Sequence, residues 1–301
     1  MDRLAAIEIF VRVIDSGSFS AAAKSQGVKQ PAVSKAIAQL EDWLGVRLLL
    51  RSTRSLSPTE AGRDFYNHAK RTVEEADEAV RAARGGVAGL CGRLRVSAPV
   101  CFARLHLVPQ LPRFLAKHPD LDLHLMLDER SIDLVDEGID VALRMGAMPD
   151  SSMVARKIGE ARRLVIATPA YLQRHGTPTS PGDLQAHQVV IYTHDGVGET
   201  CTFRQGTSEM TVTPRGRVSI TASEGVRAAI LADMGLTIAS EWSFTPELVS
   251  GAVVSVLQDW ALAPVALSAV FPTGRLVSAK VREFIAFVET CLEPPNGERI
   301  A

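Results

Sequence analysis

One helix-length stretch constrains this chain more than any other. In "VKQPAVSKAIAQLEDWLG", Val28 to Gly45, the residues Val33, Ile37, Leu40 and Leu44 recur at spacings of 4, 3 and 4. That is one apolar face of an amphipathic helix. The opposite edge of the first turn carries Gln30, Pro31, Ser34 and Lys35, an amide, a hydroxyl and a cation where a solvated helix usually shows Glu and Lys. Upstream, Leu4, Ile7, Phe10, Val11 and Ile14 form a first helical stripe that stops at Asp15-Ser16-Gly17-Ser18. Ser18 can cap a short second helix, Phe19 to Ser25, whose Ala21, Ala22 and Ala23 permit close packing. The Gln26-Gly27-Val28 turn then leads into the quoted helix, and two short helices joined by a tight glycine turn make a helix-turn-helix.

The segment after Gly45, "VRLLLRSTRSLSPTEAG", reads as a small hairpin with Arg51 and Arg54 near its tip and Pro58 closing it, a basic wing. From Ser16 to Pro58 six cations stand against two anions, although the net charge of the 301-residue chain is only -1. The basic surplus is local, which points to a polyanion at this end of the molecule.

Thr59 can cap the next helix, with Glu60 and Asp64 near its positive end. Gly62, Tyr66, Ala69, Val73, Ala76, Val80 and Ala83 follow at alternating spacings of 4 and 3 until Gly85-Gly86. A stripe that narrow is expected to be a dimer seam, since a helix packed on its own domain shows a wider one. At about 1.5 Å per residue the helix spans roughly 39 Å.

From Gly92 onward the texture changes to short apolar strands: "RLRVSAP", "LDLHLML", "DVALRMG", "RLVIATP", "QVVIYT", "RVSIT", "LTIAS" and "VALSAVF". Alternation with helical patterns implies an α/β fold, expected here with largely parallel sheets. A break near Glu160-Ala161-Arg162 and a return through Ala263-Pro264-Val265-Ala266 suggest two lobes crossed twice by the chain, closing around a ligand like a hinge.

With these pieces in order, the chain resembles a LysR-type transcriptional regulator along nearly its full length. "SGSFSAAAKSQGVKQPAVSKAIAQLEDWLGVRLLLRSTRSLSPTEAG" follows the family's N-terminal signature almost position by position. "IDLVDEGIDVALRMG" and "ATPAYLQRHGTPTSPGDLQAH" look like the effector domain of its CrgA-like branch. The resemblance implies a winged helix-turn-helix over residues 1–58, a dimerising linker helix over 59–86 and an effector-binding domain over 87–301, two-lobed like periplasmic binding proteins. Its first lobe is expected near 92–162 and 267–292, and its second near 163–266.

By that resemblance Gln30, Pro31 and Ser34 are the base-reading edge, and that end of the helix is suited to a major groove. Lys35, Arg51, Thr53 and Arg54 are expected on phosphates, with Arg54 able to reach the minor groove. Lys29 departs from the family's Ser or Thr, losing a cap and placing a cation at the helix start, which suggests a phosphate contact. Tyr66, Ala69, Val73, Ala76, Val80 and Ala83 are the dimerisation residues. The resemblance places pocket residues at Ser97, near Asp128 and around Thr221, Ser223 and Glu224; Val100, Cys101 and Phe102 are added from the helix start that follows Ser97, and Arg144, at a strand end, either reaches the cleft or lies on the surface. The helix start in "RVSAPVCF" offers N–H groups to an anion, and Asp128 and Glu224 argue against a dianion.

The implied partners are a double-stranded operator with inverted-repeat half-sites, a small effector, weakly acidic or alternatively neutral or amine-bearing, and a second copy of the chain as homodimer or homotetramer. RNA polymerase is a further candidate partner. No cofactor or metal is called for. Met1-Asp2-Arg3 leads directly into an amphipathic helix and no uncharged apolar run reaches membrane length, so a cytoplasmic protein without membrane contact is expected.

Two other classes compete with this reading. An α/β enzyme would need chemistry that the sequence lacks: no GxSxG, GxxxxGK[ST] or HExxH occurs, and "DGVGETC" is no GxGxxG. His106, His118 and His124 are separated by twelve and six residues, matching no short metal motif. A thiol-sensing regulator of the same fold would use Cys101 or Cys201, but the four cysteines are scattered without a CxxC pair, and a small packing residue is the better reading.

Overall fold

The computed structural model describes residues 2–51, 56–83, 90–130, 133–135, 137–146, 153–193, 199–272 and 277–292. The chain divides into two compact units, residues 1–93 and 94–301.

The first unit opens with helices α1 (Arg3–Ser16), α2 (Phe19–Ser25) and α3 (Gln30–Leu44). Asp2 caps α1 and Ser18 caps α2, while Gly17, at φ 63°, ends α1 in the left-handed region that favours glycine. Val33, Ile37 and Leu40 of α3 are fully buried against Phe10, Val13, Ala22 and Ala23. The antiparallel hairpin of β1 (Leu49–Arg51) and β2 (Leu56–Pro58) follows, and then α4 (Glu60–Ala83). Thr53 and Arg54 lie outside the described residues.

The expected seam of α4 is only in part open to a partner. Tyr66, Ala69 and Val73 pack against the helix-turn-helix core of their own chain, with Ala69 2% exposed. Phe65 meets Phe10 with ring centroids 5.3 Å apart, and Tyr66 donates a hydrogen bond to Asp15 on α1. This part of the stripe therefore also serves the core of its own unit, which stripe width did not anticipate. Further along, Ala76 is half-buried and Val80 is 49% exposed, so the outward apolar surface begins there.

The second unit holds a five-stranded sheet built from β3 (Cys91–Ala98), β4 (Asp120–Leu127), β5 (Val141–Met145), β6 (Val154–Ala161) and, from the far end of the chain, β15 (Val265–Phe271). The strands lie in the order β4-β3-β5-β15-β6. Between β3 and β4 run the single turn α5 (Val100–Phe102), a π turn over Ala103–Leu107, and α6 (Leu111–Lys117).

The chain leaves this lobe at Arg162 and builds the second from β7 (Arg163–Ala167), α7 (Pro169–His175), β8 (Val190–Tyr192), β9 (Cys201–Gln205), β10 (Ser208–Val212) and β11 (Val218–Ile220). It continues with α8 (Ser223–Leu231), β12 (Leu236–Ser240), α9 (Thr245–Ser250), β13 (Val254–Val256) and β14 (Ala261–Leu262). It returns through Ala263 and Pro264 into β15, and α10 (Ala279–Leu292) closes the first lobe.

The expectation of largely parallel sheets does not hold. β3–β5 and β8–β11 are parallel, but β15 runs antiparallel to both β5 and β6, and β7 is antiparallel to both its neighbours. The physical reason is the double crossing. β6 carries the chain out of the first lobe and β15 carries it back, so the two pair in opposite directions.

Candidate functional site: a recognition helix and an inter-lobe cleft

The first turn of α3 is presented as the sequence suggests. Lys29, Gln30, Pro31 and Lys35 are exposed and Ser34 is half-buried, while Val33, Ile37 and Leu40 opposite are buried and Leu44 is half-buried. Lys29 occupies the N-cap with no side-chain cap hydrogen bond; Pro31 has no N–H, and the Ala32 N–H donates to the Lys29 carbonyl at 2.9 Å, so a cation stands beside the positive end of the helix. Gly45, at φ 72°, ends the helix in the left-handed region and turns the chain toward the wing. Arg51 lies in β1.

In the second unit, residues following β3 and β4 in the first lobe touch the second lobe. Arg104 Nε and Nη2 donate to the Glu224 carboxylate at 2.8 and 3.1 Å. Glu129 accepts from Ser223 Oγ at 2.5 Å and from Tyr192 OH at 3.3 Å. The Cys101 thiol points at the carbonyl of Ser243, 3.7 Å away. His106 Nε2 lies 2.7 Å from the carbonyl of Trp242, and the Phe102 ring packs on the Trp242 indole with centroids 5.6 Å apart.

Behind these contacts, Arg144 Nη1 donates to Ser97 Oγ at 3.2 Å. Arg144 Nη2 is buried and finds no hydrogen-bond partner among the described residues. Burial lowers the affinity of this guanidinium for its proton, and the nearby Asp128 carboxylate partly offsets that. Asp128 is itself held below the usual carboxylate range, first by the backbone N–H of Arg130 and then by its guanidinium.

The residues expected from sequence thus fall into two groups. Ser97, Asp128 and Arg144 come together in the first lobe. Cys101, Phe102, Ser223 and Glu224 lie in or beside the contact between lobes. Val100 is half-buried in the turn between these groups, and Thr221 is exposed ahead of α8.

Two observations bear on the expected pocket. The turn beginning at Val100 is only three residues of regular helix before the π turn, and Cys101 and Phe102 are buried beside Ser243 and Trp242 of the second lobe. Glu224 does not stand as a free negative charge either. Burial raises its pKa, but the hydrogen bonds and charges of Arg104 and Arg227 outweigh burial and bring it below the ordinary value. Its charge is paired with Arg104 and Arg227.

Sequence reasoning misses the lobe-bridging side chains Arg104, His106, Glu129, Tyr192 and Trp242. Their partners lie between 63 and 140 positions away, as for Tyr192 with Glu129 and Trp242 with Phe102, and no local spacing announces such pairs.

Burial pushes the Cys101 thiol up to about 12, and burial raises Cys201 as well. Both are poor thiolates near neutral pH, which disfavours the thiol-sensing alternative. Among the described residues no three His, Cys, Asp or Glu side chains gather as metal ligands, and no helix is long and apolar enough to cross a membrane.

Comparison with known proteins agrees with this geometry. Residues 4–63 match the model of the bacterial regulatory helix-turn-helix protein, lysR family, and residues 88–292 match the LysR substrate binding domain. An HTH-type transcriptional regulator of Xanthomonas campestris pv. campestris is 37% identical over 94% of this chain and 84% of its own length. The transcriptional regulator CrgA of Neisseria meningitidis serogroup C is 32% identical over 94% of each chain. The solved structure of CrgA, a LysR-type transcriptional regulator from Neisseria meningitidis, superimposes with a TM-score of 0.61 at 29% identity, covering 95% of this chain and 97% of that one. The two matched regions account for both the helix-turn-helix and the two-lobed domain, and the chain belongs to the LysR family of bacterial transcriptional regulators.

Proposed function

We propose that this regulator reads its operator through Gln30, Pro31 and Ser34, and that Lys29, Lys35, Arg51, Thr53 and Arg54 hold the flanking phosphates. The observation that carries the reading is the division of α3: Val33, Ile37 and Leu40 are buried and Leu44 is half-buried, leaving an exposed amide and proline ring and a half-buried hydroxyl on the opposite edge of its first turn. Gln can pair bidentately with an adenine edge, Ser with several bases, and the proline ring can touch a thymine methyl. Two copies joined along the outer part of α4 would present two such helices to an inverted repeat. Tetramers would form through the effector domains, and RNA polymerase would be the downstream contact.

The effector is a small, weakly acidic organic molecule whose anionic end meets Arg144 and Ser97. The unpartnered Arg144 Nη2 supports this, because a buried donor without an acceptor costs about 1–3 kcal/mol and favours a ligand that supplies one. The neutral backbone turn at Val100 is a lesser contributor.

Binding titrations on selected and scrambled duplexes test the DNA reading. Gln30→Ala and Ser34→Ala are expected to relax sequence preference, each by about 1–3 kcal/mol at its base, whereas Arg51→Ala weakens all sequences alike. Unchanged preference in both helix variants would sink the assignment.

A further inference from the structure

Leu48, at the base of the wing, is held through its own N–H and carbonyl, by a side chain of α3 and by the residue that precedes α4. Its N–H and that of Leu49 donate to Glu41 Oε1 at 2.8 and 3.1 Å. Its carbonyl accepts from the N–H of Thr59 at 2.9 Å, with Thr59 Oγ1 3.3 Å away. Glu41 belongs to α3, and Thr59 immediately precedes α4. Thr59 Oγ1 also donates to the carbonyl of Arg47 at 2.7 Å and accepts from the N–H of Gly62 at 2.9 Å.

Close approach completes the arrangement. A Cβ on Gly62 would lie 2.0 Å from the Leu48 carbonyl oxygen, so the first turn of α4 touches the wing backbone in a way that only glycine permits.

Glu41 is 3% exposed, an unusual place for a carboxylate, and burial of that kind is tolerated only when the oxygens are served. They are: Oε1 takes the two backbone donors, and Oε2 takes Arg47 Nη1 at 3.0 Å. In the sequence Glu41 is simply one of the two anions of the basic segment. The structure removes it from the surface and turns it toward the wing.

We propose that Glu41 is a positioning residue for DNA contact: with Thr59 and Gly62 it makes Leu48 a rigid joint that fixes the wing relative to the recognition helix and makes the wing follow the linker helix. The ties are to backbone atoms, so they set the path of β1 whatever side chains the wing carries. A change in the direction of α4, wherever it originates, is then passed to the wing and not absorbed in a loop. The inference rests on the reading of the wing as a DNA-contacting element.

The test uses the full chain and a duplex selected from random DNA by the unaltered protein, probed by hydroxyl-radical footprinting. Glu41→Met, close in shape but without oxygens, is expected to lose most of the protection flanking the bases beneath each recognition helix. Its salt dependence becomes shallower by about 0.9 for each phosphate that the wing no longer neutralises. Base ranking beneath the helix stays as in the unaltered protein. Glu41→Gln, which keeps one carbonyl oxygen for both N–H groups, restores the flanking protection.

Thr59→Val reproduces the loss from the other side, and it carries the test if Glu41→Met does not fold. The double variant loses no more flanking protection than the worse single, because either break frees the same residue. Flanking protection that survives both Glu41→Met and Thr59→Val overturns the joint. So does a loss of flanking protection and base ranking in equal proportion, which would reduce Glu41 to a stabilising residue. An unaltered protein with no flanking protection at all would instead overturn the reading of the wing.

Discussion

Arg144 on β5 donates to the hydroxyl of Ser97 on β3 at 3.2 Å while its second terminal nitrogen stays buried and unpartnered among the described residues. The pair sits on parallel neighbouring strands, so its geometry is fixed by sheet register and not by a loop. Arg144→Met, which keeps the stem and removes the charge, is expected to abolish the preference for acids over the matched amides. Ser97→Ala should weaken acids with a smaller effect on amides. Thermal shifts across matched acids, amides and amines decide it; amides binding the unaltered protein as well as acids would remove the anion site.

His106 gives the effector domain a pH dependence. Burial lowers its pKa, partly offset by the hydrogen bond to the Trp242 carbonyl. The unfolded chain then binds more protons than the folded one near the ordinary histidine value of about 6.5, so stability falls as pH drops through that value. Glu224, with its pKa lowered, adds a further loss only at lower pH, below the ordinary carboxylate range. His106→Gln, which can still donate to the Trp242 carbonyl, should flatten the step near pH 6.5 in denaturant midpoints. A step of unchanged size would assign it to another group.

Lys29 leaves α3 without a side-chain cap. Lys29→Ser should stabilise the free protein by about 1 kcal/mol through a restored cap. The same change should weaken DNA binding with a shallower salt dependence. Opposite signs in melting and binding are the diagnostic, and an unchanged salt slope would mean that Lys29 touches no phosphate.

Along α4 two substitutions separate self-packing from association. Val73 packs on the core of its own chain, whereas Val80 is 49% exposed. Val73→Glu is therefore expected to lower the melting temperature of the DNA-binding unit. Val80→Glu should leave that temperature nearly unchanged while uncoupling protomers in light scattering and weakening operator binding. Val80→Glu with undiminished assembly and affinity would place the dimer contact elsewhere.

The sequence by itself determined the elements whose signals are local. The buried stripe of Val33, Ile37 and Leu40, the cap at Ser18, the left-handed turn at Gly17 and the uncapped start at Lys29 all follow from neighbours within a few positions. The strands legible as apolar runs, such as Val141–Met145 and Val265–Phe271, are equally local. The strand Val154–Ala161 is not: its burial is mostly shallow, and it exists because β15 returns to pair with it from over a hundred residues away. Tertiary structure also decided what each charge does. Glu41 and Glu224 are carboxylates of the same chemistry in helical sequence. One is buried to hold the wing, and the other meets Arg104, 120 positions upstream, to bridge two lobes. A charge reveals its role only through the partner that desolvates or neutralises it, and here that partner is brought by the fold.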